Sequence, residues 1–343
     1  MQNRLTKGRL LDDEGRLLQA GYSTVMARRY DRKNIAASKW RIKEWDYYII
    51  SDGEKSIAFT LSDIGYIGLM SVSVIDLTKP ACRTSSKITL FPFGKYNFPK
   101  SFEDGDVSFS SKALKLYFRN KNGVREIECE YKKWDGENTL KAKITLTDPP
   151  RDAMVIATPF KENEHAFYYN AKLNCMTAEG YFDVGGKRYE FDKKKALGTL
   201  DWGRGVWTYK NVWYWGSMQH RLDNGHTIGF NLGYGFGDTS QASENMFFTD
   251  GIAHKLGSVT FDIPQKDGKD DFMKEWAIRD DEDRLFMRFK PMIDRYDAVN
   301  ALAVSTCQHQ VFGEFTGYVR LEDGSLLEFG PCRGFAEKVV NKW

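Results

Sequence analysis

The sequence predicts an all-β protein, on three observations. Aromatic residues make up 14% of the 343 residues and glycine accounts for 30 of them, which suits many strands joined by tight turns. Short runs of alternating residues recur along the chain, while no window carries the 3.6-residue apolar period of a long helix. Several runs are joined in pairs by glycine turns, among which Asn-Gly is the strongest short hairpin signal.

In chain order, YYIISDGEKSIAFTL (47–61), LMSVSVIDL, ALKLYFRN, REIECEYKKW and LKAKITLTD read as strands. YFDVGGKRYEF (181–191) reads as a hairpin about Gly185-Gly186, HRLDNGHTIGFNL (220–232) about Asn224-Gly225, and GYVRLEDGSLLEF (317–329) about Asp323-Gly324. The best helical candidates are short: residues 33–43 and the tail FAEKVVNKW (335–343). Hairpin meanders in a chain of this length favour closed or nearly closed barrels, which remove exposed sheet edges.

An internal repeat sharpens the architecture. Residues 180–207 can be laid beside residues 317–343. Both segments begin Gly-Tyr, cross a glycine turn into Glu-Phe (Glu190-Phe191, Glu328-Phe329), and reach Gly-x-x-carboxylate (Gly198 to Asp201, Gly334 to Glu337). Each then places a tryptophan six residues on, Trp207 and Trp343. A looser echo links residues 47–61 to 218–232. The expectation is two related β units, residues 1–207 and 208–343, with Asp201 and Glu337 as structural counterparts.

Bulk properties narrow the function classes. Fifty basic and 47 acidic residues leave a net charge of +3, without the concentrated basic patch of a nucleic-acid binder. Mean hydropathy is −0.53. The start MQNRLTKGRLL has no apolar run for a signal-peptide core, and no stretch approaches the roughly 20 apolar residues of a membrane helix. The cysteines (Cys82, Cys129, Cys175, Cys307, Cys332) are odd in number and dispersed, so a disulfide framework or zinc knuckle is not expected and a cytoplasmic home is. The five histidines show no HxH or HExxH spacing, which argues against a metal site. There is no P-loop and no GxSxG elbow, and GYGFG (233–237) reads as a turn. No cofactor is expected, and the protein should be a monomer or weak homodimer with a small-molecule ligand.

The stretch GTLDWGRGVWTYKNVWYWGSMQ (198–219) holds four of the nine tryptophans beside Asp201 and Arg204. A carboxyl in an apolar, ring-lined pocket has its pKa raised and can serve as a proton donor near neutrality. Asp201 is the first catalytic candidate and Glu337 the second. The competing reading is an Asp201–Arg204 ion pair closing a barrel mouth, with Glu337 on the solvated face of a terminal helix. Trp202 and Trp207 could line a pocket. Trp213 and Trp215 share one strand face, with Tyr214 on the other, and that face is either core or pocket wall. Arg204 and Gln219 supply polar groups beside the rings. Asn245, His254, His309 and Gln310 are polar groups amid apolar strands, and His309 and Gln310 point to opposite faces.

GTLDWGRGVW, the WYWGSMQ run and its hairpin, SENMFFTDGIAHKL (243–256), CQHQVFGEFTGYV (307–319) and GFAEKVVNKW (334–343) recur in order with LLDDEGRLLQAGY (10–22) and KEWDYY (43–48). In these motifs the chain resembles the bacterial family DUF2804, over essentially its whole length. More distantly, LDWG followed by an aromatic run and an LDNG hairpin is similar to the carotenoid hydratase and AttH-like group, whose relatives include tocopherol cyclase and fungal pericyclases. That resemblance implies two tandem lipocalin-like antiparallel β units of the calycin type. Members of the wider group typically read Asp-His-x-Trp-Gly; here Asp201 directly precedes Trp202-Gly203, so a role needing the histidine is not available.

Three functions fit. The first is a cofactor-independent hydratase, lyase or cyclase using carboxylate acid/base chemistry on an isoprenoid-like molecule. The second is a carbohydrate-active enzyme of glycoside hydrolase type with paired carboxylates. The third is a non-catalytic lipocalin-like carrier.

Overall fold

A computed structural model describes residues 2–301 and 304–342; Trp343 of the repeat lies outside them. Two curled antiparallel sheets divide the chain at the link between Leu197–Val206 and Lys210–Arg221. The first sheet has 13 strands and the second nine. Among the described residues, no helix is long and apolar enough to cross a membrane.

The strands expected from alternation form where alternation is clearest. In Leu140–Thr147 the residues Leu140, Ala142, Ile144 and Leu146 are buried while Lys141 and Lys143 are exposed, as a sheet with one wet face requires. Leu197–Val206 behaves differently: all ten of its residues are buried. Trp202, Arg204 and Val206 face the interior of the first curled sheet, and Thr199, Asp201 and Gly203 face the second sheet. A strand covered on both sides loses the polar alternation that marks an edge of the core.

Both helical expectations fail. Of residues 33–43, a 3-10 turn, Arg32–Asn34, covers the beginning, and Ile42–Ser51 is already strand at the end. Asp31 caps that turn by accepting from the Lys33 amide, but the segment buries none of its side chains, so nothing extends the helix. The tail belongs to the strand Leu326–Lys342, paired on one side with Val304–Arg320 and on the other with Lys210–Arg221. Two ladders pair residues 335–342 on both sides, whereas a two-turn helix would leave its ends open. Glu337 is therefore buried between strands, not displayed on a solvated face.

The two sheets share a strand order. From one edge, the first runs Ala81–Leu90, Ile67–Asp76, Lys55–Asp63, Ile42–Ser51, Leu197–Val206, Asn163–Val184, and on through Leu140–Thr147. The second runs Ile252–Lys255, Met246–Thr249, Thr227–Tyr234, Lys210–Arg221, Leu326–Lys342, Val304–Arg320, then Leu285–Ala301. The Asp201 and Glu337 strands are both fifth in this order, each paired with the fourth and sixth strands of its sheet. The hairpins leading to them also match in register: Gly180 pairs with Phe191 and Gly317 with Phe329.

Each sheet encloses its own apolar core, and a third cluster joins them. Tyr47, Ile49, Ala58, Ile75 and Leu77 of the first sheet pack there against Trp215, Ile293, Phe312 and Phe335 of the second. One end of this seam is apolar. The other end holds the carboxylates.

Candidate active site at the seam between the sheets

Asp201 projects from its strand into the seam beside Lys172, its register partner on Asn163–Val184. The Lys172 ammonium lies 3.0 Å from Asp201 Oδ2, with the two side chains only 4% and 10% exposed. Asn170 Nδ2 donates to Asp201 Oδ1 at 2.6 Å and to the Trp202 carbonyl at 2.9 Å. Across the seam, the same ammonium sits 3.7 Å from the centroid of the Trp215 ring. A desolvated cation between a carboxylate and an indole face is favourably held on both sides.

Glu337 comes into the seam from the second sheet. Trp213 Nε1 donates to its Oε1 at 2.9 Å, and Gln310 and Gln308 donate to its Oε2 at 2.9 and 3.2 Å. Among the described residues no cation is in ion-pair contact with it. Burial pushes the Glu337 carboxyl above its ordinary range, opposed by the Trp213 and Gln310 donors and by the more distant Arg295 and Lys172 charges. Half-buried Glu244 adds a third carboxyl, also pushed up by desolvation, and receives a hydrogen bond from Asn231 Nδ2. Tyr47 completes the cluster. Among the described residues its buried hydroxyl makes no close hydrogen bond, only a longer contact with the Gln310 side chain, and Gln310 Oε1 has no partner.

The rings of the 198–219 stretch divide between two environments. Trp207, Trp213 and Phe236 pack edge to face at centroid distances of 4.9 to 5.8 Å, with Trp45 5.3 Å from Trp207. Trp45 lies flat across Gly203, where a Cβ would come within 1.9 Å of its ring; only glycine permits that approach. Trp215 packs on Tyr47 and Phe335 and donates Nε1 to Asn231 Oδ1 at 2.7 Å. Trp213 and Trp215 do share the seam face, and Tyr214 stacks on Tyr234 in the opposite core.

Trp202 and Arg204 do not join Asp201. Successive strand residues alternate faces, so both point into the first sheet's interior, where Arg204 Nη1 pairs with Asp46 at 2.9 Å. The Asp201–Arg204 ion pair is absent, replaced by Asp201–Lys172 and Asp46–Arg204 on opposite sides of one strand. Gln219 lies further along the seam, accepting from Thr199 Oγ1 and the Cys175 amide. Asn245 is buried and engaged with the backbone of Gly233 and Gly257, away from the carboxylates. Gln310 reaches Glu337, while His309 turns to the second core, bonded to Asp294 at 2.7 Å and stacked on Phe272. His254 Nε2 meets Thr249 Oγ1.

Lys172, Asn170, Tyr47, Gln308 and Asn231 escaped the sequence reading. A signal for two of them exists: in Asn170-Ala171-Lys172-Leu173-Asn174, polar residues occupy every second position of a strand that is otherwise apolar, marking a buried polar face. The two best-formed hollows are small. One lies along the seam between Thr199, Ser217, Gln219 and Phe335 and has room for a water or two. The other lies inside the first sheet, between Asp46, Tyr48, Asn120 and Trp202, with room for about one. Among the described residues no group of three or more His, Cys, Asp or Glu side chains is placed to hold a metal ion.

Among solved structures, a protein of Nitrosomonas europaea provisionally assigned as AttH superposes over 92% of this chain and 98% of its own, at 14% identity and a TM-score of 0.55. The fold is thus the AttH-like, lipocalin-like arrangement of two curled sheets. Kievitone hydratase of Nectria haematococca aligns over 99% and 98% at 10% identity, but with a TM-score of 0.48, too loose to add to that conclusion. No curated protein matches the sequence. The sequence model of the domain of unknown function DUF2804 matches residues 2–343, and the chain belongs to that family.

Proposed function

We propose that the protein is an enzyme of hydratase or lyase type that works without a bound cofactor on a small, largely apolar molecule. Glu337 is its proton donor, and Asp201, held by Lys172, is the proton acceptor. The observation that carries this reading is the difference between the two carboxyls. Asp201 has an ammonium at 3.0 Å, whereas Glu337 is buried among N–H donors with its pKa raised. Titratable groups whose surroundings separate them in this way divide naturally into acid and base. In a hydration, Glu337 would give its proton to one carbon of a double bond. The faces of Trp213 and Trp215 would stabilise the resulting cation. Water would then add to the other carbon and release its proton to Asp201. The seam hollow is smaller than any such substrate, so binding requires the two sheets to part locally.

The test has one arm that needs no substrate. Carbon-13 NMR of the Glu337 carboxyl should show titration above the ordinary glutamate range; titration at or below that range overturns the assignment. On a substrate found by screening isoprenoids, Glu337→Gln should lower turnover by about 10²–10⁴-fold with folding preserved. Full turnover per folded molecule in that variant would remove Glu337 from the chemistry.

A further inference from the structure

We propose that the interior of the first sheet contains a binding site for a single chloride-sized monoanion, held between Arg125 and the Trp202 indole N–H. This site lies on the opposite side of the Leu197–Val206 strand from the carboxylates and does not depend on the function proposed for them.

Arg125 is 2% exposed, on a strand between Leu114–Lys121 and Leu140–Thr147. Strand alternation turns it inward together with Ile127 and Cys129. Its Nη2 donates to the Phe102 carbonyl at 2.6 Å, while among the described residues buried Nε and Nη1 make no close hydrogen bond, the guanidinium having only a longer contact with the Tyr48 hydroxyl. Among the described residues no carboxylate pairs with it. Arg204, another guanidinium of this interior, is by contrast matched by Asp46. Arg125 therefore lacks a carboxylate partner, and an uncompensated buried charge costs several kcal/mol. A bound anion removes that cost.

A place for it adjoins the arginine. Asn120 is the register partner of Arg125 and donates to the same Phe102 carbonyl. Asn120, Phe102, Tyr48 and Trp202 all line the hollow described above. Trp202 is 1% exposed, and its Nε1 has no hydrogen-bond partner. Buried N–H groups left empty are rare and point to an unseen acceptor. A single charge is the limit: the Asp46 carboxylate, although matched by Arg204, also lines the hollow and disfavours further negative charge. Aromatic walls of Tyr48, Phe102, Phe118 and Trp202 make the site dry, which strengthens each N–H contact.

The experiment is a titration of the full-length protein, dialysed into a chloride-free zwitterionic buffer, with chloride, formate, acetate and benzoate at constant ionic strength. Melting temperature and tryptophan fluorescence are followed together. A saturable rise in melting temperature is expected for chloride, and none for acetate, benzoate or sulfate. The carboxylate series tests the size limit of a water-sized hollow, and saturation by benzoate would overturn the placement. Arg125→Met should abolish the response. Should that variant not fold, Trp202→Phe should weaken the apparent affinity several-fold and remove most of the fluorescence change. A wild-type response that never saturates overturns the proposal. So does a folded Arg125→Met variant that still saturates, or a Trp202→Phe variant with unchanged affinity.

Discussion

Asp201 and Glu337 stand on the fifth strand of two sheets built in the same order, and they meet at one seam. Their surroundings differ. Asp201 pairs in register with Tyr47 and Lys172; Glu337 pairs in register with Trp215 and Gln310. At the position where the first sheet supplies an ammonium, the second supplies an amide. Duplicated architecture fixed where the carboxyls sit, and a few neighbouring side chains decided the charge each can hold. The comparison teaches that equivalent backbone positions do not carry equivalent chemistry.

The largest test of this contrast is Lys172→Met. It leaves Asp201 buried without its cation and should cost about 3–5 kcal/mol in denaturant unfolding. Adding Asp201→Leu should recover much of that loss, because a matched apolar pair replaces a broken ionic one. A loss under about 1 kcal/mol would mean that the seam is wet and the pair is ordinary.

Gly203→Ala tests the packing of the same strand. Its Cβ would strike the Trp45 ring, so a loss of about 1–3 kcal/mol is expected. Trp45→Leu in the same chain should relieve part of it, and a tolerated alanine would show that Trp45 is free to move.

The pH dependence should carry the sign of a raised carboxyl. An acid whose folded pKa is raised binds more protons folded than unfolded, so stability falls as pH rises from the ordinary value of 4.5 toward the raised one. Glu337→Gln should remove that fall from the stability curve and gain on wild type as pH rises through the window. Glu244 is pushed in the same direction, so the measurement is the difference between the two curves. Parallel curves would place Glu337 in the ordinary range.

The smallest expected effect is that of Trp213→Phe. The ring packing is largely kept and one N–H donor to Glu337 is lost, at about 1 kcal/mol. Because that donor favours the charged carboxylate, its loss should raise the Glu337 pKa further, as read by NMR. A downward shift would show that the indole N–H is not directed at Glu337 in solution.

The sequence by itself determined the strands, the three glycine-turn hairpins, the pairing of Asp201 with Glu337 as counterparts, and the opposite facing of His309 and Gln310. These follow from period-two alternation and turn chemistry, which act over a few residues and are written locally. The tail was misread because a nine-residue run of apolar and charged residues is compatible with a helix until two neighbouring strands claim its hydrogen bonds. Only the tertiary structure decided which cation meets Asp201. Arg204 is three residues away in sequence but on the opposite strand face, whereas Lys172 is 29 positions away and lies directly across the ladder. The tertiary structure also decided that, among the described residues, no cation pairs with Glu337, because that depends on what the facing sheet brings into a closed, low-dielectric seam. Charge pairing in a β protein is set by register and by sheet-on-sheet packing. Neither is encoded in the spacing of the residues along the chain.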